Sequence, residues 1–164
     1  MDAESLYASF LAEVGQANDS KCGSSPKRAR VHQESERPTA ADTLRKAAFH
    51  GQLSQVRQLL QGLDCVERLL LIDAAEADGL TALHLAAIAG HEAVCRALLD
   101  GRADVDAHSK TRDTALMWAA HQGRGSLCRL LLSHGADTTL KNCSGQTAAS
   151  WLHLQSWHYI HTRA

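Results

Sequence analysis

Nearly the same segment recurs along this chain at intervals of 33 residues. Gly79-Leu80-Thr81-Ala82-Leu83-His84-Leu85-Ala86-Ala87 returns as Arg112-Asp113-Thr114-Ala115-Leu116-Met117-Trp118-Ala119-Ala120, and then as Gly145-Gln146-Thr147-Ala148-Ala149-Ser150-Trp151. A second motif keeps step, with Val94-Cys95-Arg96-Ala97-Leu98-Leu99 matching Leu127-Cys128-Arg129-Leu130-Leu131-Leu132. Each is followed by a small-residue turn, Gly101-Arg102-Ala103-Asp104 and Gly135-Ala136-Asp137. Leu44 to Gly51 and Val56 to Leu60 fit the template at a spacing of 39, and the six extra residues fall within Gly62 to Leu71. A fixed period of this length makes one supersecondary unit, repeated, the building block of the fold.

The unit follows from local chemistry. Thr81 stands before an apolar run, where its hydroxyl can cap a helix. Leu83, Ala86 and Ala87 follow at helical spacing and give a small apolar face. Gly90 ends this helix, because glycine adopts the left-handed conformation without steric cost. A second helix is predicted from about Glu92 to Leu99, with Val94, Ala97 and Leu98 facing inward. Each pair is too small to bury its own apolar face, so neighbours must stack. Burial of Leu98, Leu99, Leu131 and Leu132 is expected to contribute roughly 1.5–3 kcal/mol each.

Thr81 to His91 (T-A-L-H-L-A-A-I-A-G-H), Arg129 to Asp137 (R-L-L-L-S-H-G-A-D) and the 33-residue period together resemble the ankyrin-repeat family, over about Ala41 to Ser156. The resemblance implies an all-α solenoid of about four helix-turn-helix units, L-shaped in section. It also implies short β-hairpin tips at Ala74 to Gly79, Ala107 to Arg112 and Leu140 to Gly145. The units are expected at about 41–75, 76–108, 109–141 and 142–164, after an N-terminal tail over 1–40. Met117 and Ser150 stand where His84 carries the family's cap-supporting histidine, and Arg112 stands where a tip glycine is expected. The fourth unit ends in Trp157-His158-Tyr159-Ile160-His161, read as a short cap or a truncated repeat.

Composition narrows the function. Lysine plus arginine number 17 against 18 acids, a net charge of −1, so nothing drives the chain towards nucleic acid or an acidic membrane. The longest aliphatic run, Leu69 to Ile72, is far too short to span a bilayer. The N-terminus does not read as a secretory or mitochondrial signal. The five cysteines include no C-x-x-C pair, which fits a reducing compartment, cytoplasmic or nuclear or both. With 4% aromatic residues, a large aromatic-lined cavity for a small-molecule substrate is not expected.

No G-x-S-x-G, phosphate loop, H-E-x-x-H or paired-carboxylate pattern occurs, so neither catalysis nor a cofactor is expected. His84, His91 and His134 occupy template positions and read as structural. Cys95 and Cys128 are equivalent positions of successive units and read as small core residues. Trp118 and Trp151 replace Leu85 and read as packing between units. His153, His158 and His161 could hold a zinc ion, but no cysteine or carboxylate stands beside them to complete the site. Metal binding is therefore the weaker alternative.

In the tail, Leu6, Phe10 and Val14 lie at i, i+4 and i+8, flanked by Tyr7 and Leu11 and by the acids Asp2, Glu4 and Glu13. This predicts a short amphipathic helix over about 3–14, stable only when docked on its own solenoid or in a partner's groove, or else no ordered structure. Lys27-Arg28-x-Arg30 resembles a nuclear-import signal, and phosphate on Ser25 would weaken it.

The resemblance implies a non-enzymatic interaction module whose protein partner meets the hairpin tips and the outer side of the first helices. Mapped position by position, that surface comprises Phe49, His50, Asp78, Leu80, Ile88, Lys110, Arg112, Asp113, His121, Gln122, Gln146 and Leu154. Phe49, Leu80 and Ile88 are expected to be exposed apolar contacts ringed by polar groups. Two narrower readings go with this one. One is an adaptor, the other a nuclear regulator similar to the ankyrin inhibitors of transcription factors.

Overall fold

The structure, a computed structural model, describes residues 39–155, with side chains as far as Trp151. Eight helices occur among these residues. Unit one supplies α1 (Ala40–Phe49) and α2 (Leu53–Leu60), followed by an additional helix, α3 (Cys65–Ile72). Unit two supplies α4 (Ala82–Ala89) and α5 (Glu92–Asp100), unit three α6 (Ala115–His121) and α7 (Gly125–Ser133), and unit four α8 (Ala148–Gln155). The first helices α1, α4, α6 and α8 stack in one row and the second helices α2, α5 and α7 in another.

Alanines make the first row possible. Ala47, Ala48, Ala86, Ala87, Ala119 and Ala120 are all buried between adjacent helices. Leucines and valines fill the space between rows, with Leu44, Val56, Leu83, Val94, Leu98, Leu116, Leu127 and Leu131 fully enclosed. Cys95 and Cys128 join this core as expected, and burial pushes the Cys95 thiol up to about 12 and raises that of Cys128. Leu132 departs from expectation: it is exposed, whereas its equivalent Leu99 is buried. Among the described residues no second helix follows α7 to cover it.

The insertion after Gly62 folds as α3, which turns Ile72 into the core and packs it against Gly101. Arg45 secures the exit from this insertion. Its guanidinium is buried, ion-paired with Asp42, and donates to the Ala74 carbonyl at 3.0 Å.

Caps show how the repeats diverge. At α4 the Thr81 N–H donates to His84 Nδ1 at 3.2 Å, closing a reciprocal box. Met117 cannot reciprocate, so α6 has only the Thr114 hydroxyl accepting from the Met117 N–H. In unit four Ser150 takes over the histidine's part: its Oγ accepts from the Thr147 N–H at 2.9 Å while Thr147 Oγ1 accepts from the Ser150 N–H.

Successive units are also clasped. His91, before α5, lies over Gly51 and reaches the Phe49 carbonyl at 3.0 Å. Arg124, before α7, lies over Gly90 and donates to the Ile88 carbonyl at 3.4 Å. Gly90 has φ +82° and carries the guanidinium where a Cβ would stand, so both its backbone and its bareness are required.

Candidate functional site

The tips are built from short turns. Gly79, Arg112 and Gly145 donate their N–H groups to Glu76, Ser109 and Asn142, and the pairs Glu76–Leu80, Ser109–Asp113 and Asn142–Gln146 close each turn from outside. These are the hydrogen bonds of a hairpin, but no strand occurs among the described residues, so the expected β-hairpins are reduced to turns. Adjacent tips are joined through the backbone, Lys110 N–H to the Asp78 carbonyl at 3.0 Å and Cys143 N–H to the Thr111 carbonyl at 2.9 Å. At Gly79 a Cβ would lie 2.7 Å from the Lys110 nitrogen, so only glycine permits this approach. Arg112 takes the left-handed conformation with φ +61°, retaining the turn in spite of its side chain.

Beneath the second tip lies a buried polar network. His84 Nδ1 faces the Thr81 N–H, which can only donate, so the ring proton resides on Nε2 and is donated to the Asp113 carbonyl at 3.0 Å. Burial of the ring holds its pKa down to about 4, against the smaller opposing pull of the Asp113 carbonyl. The Asp113 carboxylate accepts from the Thr111 hydroxyl at 2.5 Å and from Asn142 Nδ2 at 2.9 Å, and the Asp113 N–H donates to Ser109 Oγ.

Three expected contact residues are therefore corrected. Asp113 is buried and its carboxylate is committed to this network. Leu80 is 1% exposed: it precedes the Thr81 cap while Leu85 is the fourth helical residue, the spacing of a hydrophobic staple, and both are buried. Ile88 is 7% exposed, because α6 stacks on α4. Lys110, Arg112, His121, Gln122 and Gln146 are exposed as expected, and Phe49, His50 and Asp78 are half-buried. The Leu154 side chain, His158, His161 and the Lys27–Arg30 patch lie outside the described residues, as does the side chain of His153.

What the repeat pattern did not reveal is an aromatic cluster on the outer side of the first helices. The Trp118 and Trp151 rings meet edge to face at 6.3 Å, and His121 stands 4.6 Å from Trp151 and 6.3 Å from Trp118. Trp151 Nε1 donates to Gln146 Oε1 at 2.9 Å, which fixes the indole. Both tryptophans are half-buried, whereas Leu85 at the same position of unit two is fully enclosed. The signal was present in the sequence as a volume mismatch: an indole does not fit a space sized for leucine and must protrude.

Stacked helix pairs, capped first helices and linked tips define a solenoid of the repeat class, and comparison with known proteins agrees. The family model of ankyrin repeats matches residues 44–142 in three copies, more than half of the chain. The chain belongs to the ankyrin-repeat family. A search of curated proteins returned no significant match. Ankyrin repeats are generally protein–protein interaction modules and typically non-enzymatic. No helix among the described residues is long and apolar enough to cross a membrane, and no group of three or more His, Cys, Asp or Glu side chains converges there as metal ligands.

Proposed function

We propose that the tips and the outer side of the first helices form a preformed docking surface for a protein partner, centred on Trp118, His121 and Trp151 and flanked by Lys110 and Arg112. The observation that carries this reading is the half-buried tryptophan pair, held edge to face, with Trp151 tethered to Gln146. Tryptophan and arginine dominate binding energy where they are rigid and surrounded by polar groups. Here the rings are ordered before any partner arrives, so little conformational entropy is lost on association. The cations select a partner that sets carboxylates beside a flat or apolar side chain. The chain thus acts as an adaptor or regulator without a chemical step, in the cytoplasm, the nucleus or both. The narrower role of nuclear regulator rests on Lys27, Arg28 and Arg30 working as an import signal.

Proximity labelling in cells tests the surface, comparing the full chain with Lys110→Glu/Arg112→Glu/His121→Ala. All three side chains are exposed, so the melting curve should stay in place. A set of labelled proteins lost in the variant is the expected result. An unchanged set from a variant that melts normally would refute the reading.

A further inference from the structure

The second-helix side carries a feature that partner docking on the first-helix side does not use. Four large apolar side chains are exposed among the described residues, and three of them stand on α3: Val66 at 67%, Leu70 at 70% and Leu69 at 39%. Val66 and Leu70 are i, i+4 neighbours, so they form a continuous stripe on the face turned away from the buried Ile72.

The chain itself contains a segment of matching chemistry. Residues 3–14 carry Leu6, Phe10 and Val14 at helical spacing, a stripe about 12 Å long, and α3 is also about 12 Å long. The segment is also within reach. The described residues begin at Thr39, beside α1, and α1 packs against α3. The 24 residues from 15 to 38 span roughly 27 Å as a flexible linker, enough to cross α1, whose own length is about 15 Å. A linker of this length holds the segment near the patch at an effective concentration on the order of millimolar.

We propose that residues 3–14 fold back as a helix onto α3, laying Leu6, Phe10 and Val14 against Val66, Leu69 and Leu70. The inserted helix α3 is then a receptor for the chain's own amino-terminal segment. The contact forms within one molecule, independently of any partner on the opposite side.

Hydrogen exchange on the full chain tests this. Amides of residues 3–14 are expected to exchange at least about tenfold more slowly than in Val66→Asp/Leu70→Asp, which changes only exposed positions. The slowing should be the same at all protein concentrations. A complementary variant, Phe10→Asp, lies outside the solenoid and leaves its folding intact. It is expected to speed alkylation of the exposed Cys65 on α3, followed peptide by peptide, by about fivefold or more. Exchange of residues 3–14 at the rate of an unstructured peptide would overturn the proposal. Equal slowing in the α3 variant would place the segment elsewhere, and slowing that grows with concentration would assign the patch to a second copy. Cys65 alkylation unaffected by Phe10→Asp would also overturn it.

Discussion

His84 links three things that a single side chain rarely joins: the cap of its own helix, the tip of the next unit and the pH response of the fold. Its Nδ1 accepts from Thr81 and its Nε2–H donates to the Asp113 carbonyl, so the neutral ring is complete and a second proton has no place. The native pKa near 4 lies below the unfolded value of 6.5. Between these values the unfolded chain binds a proton that the native chain refuses, and stability therefore falls as the solution is acidified. His84 contributes fully above pH 6.5, and its contribution is lost as the pH drops through 4. From pH 7.5 to pH 5 the expected loss is about 2 kcal/mol. Urea midpoints at the two pH values should move much less in His84→Gln than in the parent; equal movement would remove His84 as the cause. That histidine's structural role was legible in the sequence, because it sits three residues beyond a threonine cap. Asp113 was not, since its partners Thr111 and Asn142 come from a tip and from the next unit, and a linear pattern does not show which side chains a tip folds inward.

Helices, the next scale, were the most legible part of the chain. Their apolar spacing, threonine caps and terminal glycines are local signals, and each helix expected within the described residues is present, while the one expected over about 3–14 lies outside them. The exception is α3, whose Leu69 to Ile72 run reads in sequence only as an aliphatic stretch within an insertion. Only the tertiary position of Ile72 against Gly101 shows which of its faces turns inward. Leu98 and Leu132 give the inside–outside assignment a direct test. Leu98→Ala should cost about 2–5 kcal/mol, because it opens a cavity between stacked units. Leu132→Ala, at a site 44% exposed, should cost under about 1 kcal/mol. Thermal melts of the two variants should be clearly separated, and similar melting temperatures would contradict the arrangement of α5 and α7. The proposed interaction surface was only partly legible at this scale. Exposed tip residues follow from position in the repeat, but Leu80 and Ile88 were drawn inward by a staple and by stacking, contacts that span two elements.

The molecule as a whole is a row of units that contact only their neighbours, so its opening need not be all-or-none. Cys95 and Cys128 occupy the same place in units two and three and report on this. Both are buried and both thiols are raised, so each reacts with an alkylating agent only when its unit opens. Cys95 lies in α5, flanked by the second helices α2 and α7, whereas Cys128 lies in α7, the last second helix described. Cys128 should therefore be modified faster than Cys95 under mild denaturant, by about tenfold for a difference of 1.4 kcal/mol. Equal rates would show that the units open together.

The two clasps ahead of the second helices point the same way. His91 and Arg124 each reach back to a carbonyl of the unit before, so units two and three each carry the fastening for their predecessor. During synthesis the amino-terminal repeat leaves the ribosome first and waits with its docking carbonyl already presented. Units two and three then arrive with the side chains that lock on to the unit before. The solenoid is thereby suited to growing in the direction of translation, one hairpin at a time, without waiting for its far end.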